Sequence, residues 1–578
     1  MAAHAAVPRR TVDRIACGDW MRLSRSVFRD PGRDRRGQAD TSATSPPLNT
    51  VDLSPTNDDA ANIYRFQEGS GSHGALGRLQ HGLKDARINS DRRGQFIPMP
   101  TVQRLVAENI RDILMEENIL DDEYISWSAA KILQTAVKLF AILADIKSDK
   151  EKYIVQLLEE NIGDEQLPFR QRSRHSGSYL VTRQGATINA LKDWNGKSIE
   201  DFEHKQYRFL SPVFRRSEHY DLDNMHVLPF TKKGSTPSLG TAAAGGYGKV
   251  FQAHIHPDHH ELGDNSSQES LAIAVKQMIF DEHFEPERKV YQDLGPSTHP
   301  NLIELLFTYR HDGSYHLVFP WANGSLKEYW EKEPIPAGPL DASTLKWSLT
   351  QMIGLTSGLT HFHKFTNSVG EERFGRHGDI KAANILYFQP SEGDAILKIA
   401  DLGLASIRSR NSRSNVNPKS IIASPTYAPP DVERKCSISR KWDIWSLGCL
   451  FLEFVTYLVL GGQAIDEFSQ QRKESTTEYP EFVPDFFYSS KNRDLVKPCV
   501  FSWVDRLKEN SRCSSMLSDV LDLVMTKMII IEPENRSSSL EICKKLRAFM
   551  TRVEEDEGYL LMPPPPNLGT TSSQTASD

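Results

Sequence analysis

A chain of 578 residues is too long for one compact core and implies two or more domains. Its 39% hydrophobic and 25% charged residues are those of a soluble globular protein, not a fibrous or wholly disordered one. A net charge of -7 and a pI near 6.2 give no whole-chain electrostatic case for nucleic acid or membrane surfaces, so neither is expected as a partner. The six cysteines (Cys17, Cys436, Cys449, Cys499, Cys513, Cys543) stand apart, without metal-ligand spacing, which suits a reducing compartment better than a disulfide scaffold. The longest apolar run, Cys449 to Leu460, carries Glu453 and is short for a bilayer, so it reads as a buried helix and no membrane span is expected. No hydrophobic signal segment opens the chain, and the expected location is the cytoplasm, with the nucleus also open.

Residues 1–97 are rich in Arg, Asp, Ser, Gly and Pro and show no sustained period, which predicts a disordered tail. The arginines of residues 1–36 hint at an organellar presequence, but Asp13, Asp19, Asp30 and Asp34 among them argue against it. From Thr101 the pattern turns helical: Val102, Leu105, Val106, Ile110, Ile113 and Leu114 fall on one face. A second helix is predicted after Asp121-Asp122, running through Ile132, Leu133, Val137 and Leu139 to Leu143, and a third over Tyr153 to Leu158. Aromatic residues crowd the stretch that follows (Trp194, Phe202, Tyr207, Phe209, Phe214, Tyr220, Phe230) and are expected to pack the helices onto the next domain. Residues 98–235 thus form a mostly helical accessory region. It is either a module that binds regulatory partners or a structural extension of its neighbour.

Leu239 to Val250 reads LGTAAAGGYGKV, a glycine cluster of the sort that lets backbone N–H groups approach phosphates. His254, His256, His259 and His260 follow closely, as either a solvated loop or a metal site. Ile273-Ala274-Val275-Lys276 alternates like a strand and ends on a lysine. Further on come His377-Gly378-Asp379-Ile380-Lys381-Ala382-Ala383-Asn384 and then Asp401-Leu402-Gly403. Two carboxylates, an amide and a lysine at fixed offsets suit phosphoryl transfer, where catalysis is mostly positioning and charge neutralisation.

These stretches, in this order, resemble the eukaryotic protein kinases over about residues 239–548. The wording R-H-G-D-I-K, with Phe319-Pro320-Trp321-Ala322, is similar to a kinase group frequent in filamentous fungi. The resemblance implies an α+β, bilobal protein-kinase fold over 236–552, with a β-rich N-lobe to about 322 and a helical C-lobe from about 323. A disordered Pro/Ser/Thr tail is expected over 553–578. It further implies an ATP- and Mg²⁺-dependent kinase acting on serine or threonine hydroxyls of protein substrates. Asp379 would orient the hydroxyl, Lys381 would steady the γ-phosphate, and Asn384 and Asp401 would bind metal. Lys276 would neutralise phosphates, held by a helix glutamate. Glu287 fits best because Val290, Tyr291 and Leu294 follow it at helical spacing, with Glu285 and Glu282 as rivals. Gly245, Gly248, Val250, Ala274, Pro320, Ala322 and Leu386 would form the nucleotide site, behind which Phe319 stands.

Three positions depart from the family pattern. Ala243 replaces the first glycine of the loop, Gly378 replaces the arginine that receives an activation-loop phosphate, and Asp431 replaces the glutamate closing Ala423 to Asp431. The expected partner of Asp431 is Arg536, and the shorter side chain predicts a looser pair. Asp443 is expected to hold the catalytic-loop backbone, and residues 461–515 read as a variable insert on the substrate side. The departures leave a pseudokinase scaffold as the alternative to an active enzyme. A small-molecule kinase is a third reading, against which the well-matched stretch Ser424 to Asp431 stands.

Overall fold

The computed structural model describes residues 74–564, apart from 117–121, 147–149, 175–176, 232–242, 246–247, 263–268, 296–298, 336–337, 410–424, 435, 437 and 474–482. The chain forms a helical accessory region followed by two lobes, the first built on a sheet and the second on helices.

The accessory region begins earlier than its sequence predicts. Residues 74–97, assigned above to the tail, form helix α1 (Ala75–Asp85) and the paired strands β1 (Ile88–Asn89) and β2 (Gln95–Phe96). Ala75, Leu79 and Leu83 lie one turn apart and are fully buried. So narrow a stripe, diluted by Gly, Arg and Lys, carries little periodic signal, and its stability comes from burial against the next helix. That helix, α2 (Met99–Glu116), buries the six apolar residues its periodicity marks. The predicted second helix is broken instead into α3 (Asp122–Thr135) and α4 (Val137–Asp145), bent by 102° at Ala136. No Gly or Pro marks this break. It is set by burial, since α3 is apolar on one face while α4 is buried on all sides, and by Asp164. The Asp164 carboxylate accepts the Lys138 and Leu139 N–H groups at 3.0 and 2.9 Å, satisfying donors that a helix start leaves free. Helix α5 (Ile154–Glu159), the hairpin β3 (Arg170–Arg174) and β4 (Gly177–Val181), and α6 (Gly196–Lys205) complete the unit. Trp194, Phe202 and Phe209 belong to its core.

The next aromatics belong elsewhere. Residues 214–230, placed by sequence in the accessory region, are part of the N-lobe. Strands β5 (Phe214–Arg215) and β6 (His219–Asp221) are followed by β7 (Ala243–Gly245), β8 (Gly248–Ile255), β9 (His260–Glu261), β10 (Leu271–Met278), helix α7 (Phe284–Leu294), β11 (Phe307–His311) and β12 (Ser314–Pro320). The sheet order is β6-β11-β12-β10-β8-β7, with β6 running parallel to β11 at the edge. Phe214 stacks on Phe307 at 4.2 Å, and Phe230 pairs with Ile255, so aromatics preceding the glycine cluster fill the lobe's core. The histidine cluster is no solvated loop. His254 and His259 are buried, and Phe96 sets its ring edge-on to His256 and His259 at 5.7 and 5.0 Å.

In the C-lobe, β13 (Gly324–Ser325) leads into α8 (Leu326–Lys332) and the long α9 (Ala342–His363), whose start is capped by Asp341 accepting the Thr344 N–H. Strands β14 (Phe365–Thr366), β15 (Glu372–Arg376), β16 (Ile385–Phe388), β17 (Ile396–Ile399) and β18 (Ser406–Ser409) form two three-stranded sheets, β13-β16-β17 and β14-β15-β18. Helix α10 (Lys441–Leu460) buries every residue from Trp442 to Val459. Among the described residues it alone is long and apolar enough to cross a membrane, and it is the core helix of this lobe. Helices α11 (Gln463–Arg472), α12 (Pro498–Lys508) and α13 (Ser515–Leu523) pack against it, while α14 (Ser539–Glu555) lies along α9 and α15 (Glu557–Leu561) packs on α13 and α14.

Candidate active site

Antiparallel pairing of β10 with β8 and β12 fixes where Lys276 points, and α7 brings Glu287 to it. Lys276 Nζ donates to Glu287 Oε1 and Oε2 at 2.8 and 3.0 Å and to Asp401 Oδ1 at 2.9 Å. Burial opposes the ammonium charge, but Asp401 and Glu287 together hold the Lys276 pKa above its ordinary value. Asp401 is likewise penalised by burial and still held below the ordinary carboxylate value, chiefly by Lys276. Of the three glutamate rivals, Glu287 is buried, whereas Glu285 lies on the surface against Arg288. The helix starts two residues before Pro286, which stays within the first turn, where no N–H is missed.

The catalytic-loop residues are knitted to one another. Asn384 Nδ2 donates to Asp379 O and Oδ2, both at 2.9 Å, and Lys381 Nζ reaches Asp379 Oδ2 at 2.8 Å. His377 Nε2 lies 3.0 Å from Ala400 O, linking this loop to the residue before Asp401. Asp443, on α10, accepts the His377 and Gly378 N–H groups at 2.8 Å each, as expected. Its oxygen also meets His363 Nε2 at 2.9 Å, and His363 Nδ1 meets Ser539 Oγ at 3.1 Å. This outer support carries no motif, and sequence reasoning missed it. Gly378 has φ +84°, and a Cβ there would lie 3.2 Å from Leu404 O, so a side chain is disfavoured twice over. Arg376 Nη2 lies 3.8 Å from that same point, so a guanidinium stands beside position 378 even though the residue is glycine.

The nucleotide-site residues sit on adjacent strands. Gly245 pairs with Gly248 and Ala243 with Val250 in the β7–β8 hairpin, whose tip lies outside the described residues. A Cβ on Gly248 would come 2.9 Å from Gln277 O and 3.1 Å from Lys276 Cγ, so glycine permits the close approach of hairpin and lysine. Ala243 holds a plain strand position. Val250 pairs with Lys276, Ala274 with Phe319, and Pro320 with Ile273, which sets Ala274 beside the linker carrying Ala322. Leu386, on β16, pairs with Ser325 just after that linker.

Asp431 corrects the expectation of a loose pair. Arg536 donates to Asp431 Oδ2 and Oδ1 at 2.9 and 2.6 Å, and both side chains are fully buried. The guanidinium also donates to Ile530 O, Ile531 O and Lys441 O, which hold it close enough to meet the shorter carboxylate. Ser424, Ser412, Ser414 and Ser420 lie outside the described residues. Trp330 is buried against Tyr457 and Phe454.

A two-lobed fold with a lysine–glutamate–aspartate cluster facing an Asp–Lys–Asn loop defines a protein kinase domain. The sequence profile of the protein kinase domain family matches residues 238–546, more than half of the chain, and the chain belongs to this family. Among curated relatives, it is 25% identical over 308 residues to "Probable serine/threonine-protein kinase PBL8" of Arabidopsis thaliana, covering 51% of this chain and 67% of that protein. It is 30% identical over 229 residues to "Probable serine/threonine-protein kinase PBL2" of the same plant, covering 38% and 48%. "Mitogen-activated protein kinase kinase kinase ANP1", also from Arabidopsis thaliana, is 28% identical over 246 residues, covering 39% and 33%. The chain thus spans between a third and two thirds of these relatives.

Proposed function

We propose that the chain transfers the γ-phosphoryl group of ATP to serine or threonine hydroxyls of protein substrates. The observation that carries this reading is the convergence of Lys276 on both Glu287 and Asp401, opposite a loop in which Asp379 is held by Lys381 and Asn384. Asp379 orients the acceptor hydroxyl and takes its hydrogen bond. Lys276, held by Glu287, neutralises phosphate charge from the sheet side, and Lys381 does so from the loop.

The donor set suits magnesium. Asp401 offers a carboxylate, and Asn384, with its amide nitrogen committed to Asp379, turns its carbonyl oxygen the other way. Magnesium characteristically takes one or two such oxygens and completes its shell with phosphates and water. When bound, it would offset the charge developing on the transferred group.

A silent scaffold finds little support in the three departures. Ala243 stands in a strand, Gly378 meets a backbone conformation and a contact that favour glycine, and Asp431 keeps a bidentate arginine partner. The test is γ-phosphoryl transfer from ATP and Mg²⁺ to generic Ser/Thr peptides by the full chain, beside Lys276→Met and Asp401→Asn. Transfer to Ser/Thr that both substitutions abolish is the expected result. Its absence in folded protein that binds ATP would instead support the scaffold.

A further inference from the structure

The chain as a whole is acidic, with a net charge of -7, yet one cleft far from Asp379 is lined by basic side chains. It holds about 300 Å³ and opens where three segments meet. The turn between β1 and β2 brings Arg93, the end of α6 brings His204 and then Arg208, and the lead-in to the N-lobe brings His226. Among the described residues, no carboxylate lines it.

The nearest carboxylates are already committed. Asp145 accepts Arg87 Nη2 at 2.5 Å and Arg208 Nη1 at 2.9 Å, so two guanidinium groups share one buried charge. Asp223 accepts the Tyr207 hydroxyl at 2.9 Å and the Met225 N–H at 3.0 Å. His226 Nδ1 lies 3.0 Å from its other oxygen, and Arg170 stands 3.8 Å away. Glu203, beside His204, accepts the Gln171 N–H at 3.0 Å. Arg93 meets no carboxylate among the described residues. Its Nη2 donates to Asn224 O at 2.8 Å, which leaves the rest of a five-donor fork uncommitted. Positive charge is therefore in surplus at Arg93 and at the Arg208 end of the cleft. The walls are also fixed: the Ile97 N–H donates to Arg208 O at 3.0 Å, and His311 Nε2 lies 3.1 Å from His226 O. Tyr207 and Val227, both buried, give the cleft an apolar side.

We propose that this cleft binds a phosphomonoester, with Arg93 and Arg208 on the phosphate oxygens and the imidazoles of His204 and His226 beside them. Guanidinium forks match phosphate geometry, and a dianion matches two cations whose charge is not spent on carboxylates. The volume admits a phosphate together with a small group that carries it, which would lie on Tyr207 and Val227. A phosphorylated side chain of a peptide and a soluble phosphate ester share this chemistry. Either would bridge the accessory region and the lead-in to the N-lobe, because its contacts come from both. The inference stands apart from the phosphoryl-transfer reading, since neither Lys276 nor Asp401 takes part. No motif announces the cleft: Arg93 and Asn224, which form its rim, are 131 residues apart.

The test is calorimetric titration of the full chain at fixed ionic strength with glycerol 3-phosphate, a phosphotyrosine peptide and the same peptide unphosphorylated. Wild type is compared with Arg93→Gln, a change at an exposed side chain that leaves the core intact, and with Lys276→Met. Phosphorylated probes should bind and the unphosphorylated peptide should not. Arg93→Gln should weaken binding about tenfold, as for a lost charge-assisted hydrogen bond, and Lys276→Met should leave it unchanged. Tighter binding of the peptide assigns the cleft to a protein ligand, and tighter binding of glycerol 3-phosphate assigns it to a soluble ester; both uphold the site. No binding of either probe up to about 10 mM would overturn it. So would binding that Lys276→Met abolishes and Arg93→Gln spares, which places the anion in the nucleotide site. A wild-type chain that phosphorylates no acceptor would remove the kinase reading and leave this result standing.

Discussion

Arg536 sets two guanidinium nitrogens on the two carboxylate oxygens of Asp431, 105 residues earlier in the chain, with neither side chain exposed to solvent. The pair closes the segment after the activation loop onto the end of the C-lobe. Asp431→Ala leaves a buried guanidinium without its counter-charge and should cost about 3–5 kcal/mol, read as a lowered denaturation midpoint. Asp431→Glu restores the family's residue but adds a methylene to a filled site, and should also destabilise, by about 1–3 kcal/mol.

The choice of glutamate on α7 is open to a direct comparison. Glu287→Gln should lower peptide phosphorylation on the order of a hundredfold, because Lys276 loses the charge that fixes it. Glu285→Gln, at an exposed pair with Arg288, should leave the rate within twofold, as surface ion pairs contribute little. Equal losses in both would show that the wrong residue has been assigned.

Gly378 should resist replacement. At φ +84°, Gly378→Ala meets both the left-handed penalty and Leu404 O, for a loss of about 1–2 kcal/mol in thermal stability. A stability equal to wild type would show that the loop relaxes freely.

Acid should loosen the contact between the accessory region and the N-lobe. Burial is the main cause that drops the His259 pKa to about 4, against an ordinary 6.5, and its Nδ1 lies 3.0 Å from Pro212 O. Its folded pKa lies below its unfolded one, so the unfolded chain takes up the proton first and stability falls as pH drops from 6.5 toward 4. At pH 5.5 the loss from this residue is on the order of 1 kcal/mol. The gap between thermal midpoints at pH 7.5 and 5.5 should therefore narrow in His259→Asn, which keeps a donor for Pro212 O and cannot titrate, and the remainder belongs to other buried histidines such as His316, whose pKa burial lowers to about 4.

The N-lobe core depends on residues that precede the family match. Phe214→Ala in the full chain removes the ring stacked on Phe307 and should cost about 3–5 kcal/mol. A fragment starting at residue 238 should show exposed apolar surface by dye binding, since Phe307 and Tyr309 lose Phe214 and Phe230. Wild-type stability in that fragment would mean that the sheet closes without them.

Much of the site could be read from residues alone, because its parts are local. The offsets from Asp379 to Lys381 and Asn384 lie within one loop, where a few backbone torsions decide which side chains meet. Glu287 was legible because a helix repeats its buried face, and the six buried positions of α2 were legible for the same reason. What lay between segments was not legible. Strand β6 reaches β11 through Thr308 paired with His219, and backbone groups that every residue carries make that pairing. The bend at Ala136 depends on Asp164, the fold of residues 74–97 on α2, and the tightness of Asp431 on three carbonyls around Arg536. The sequence by itself therefore determined which polar residues meet at the candidate site and the amphipathic faces. Only the tertiary structure decided where the lobes begin and which distant charges support the site, because periodicity records what one element buries and not the element that buries it.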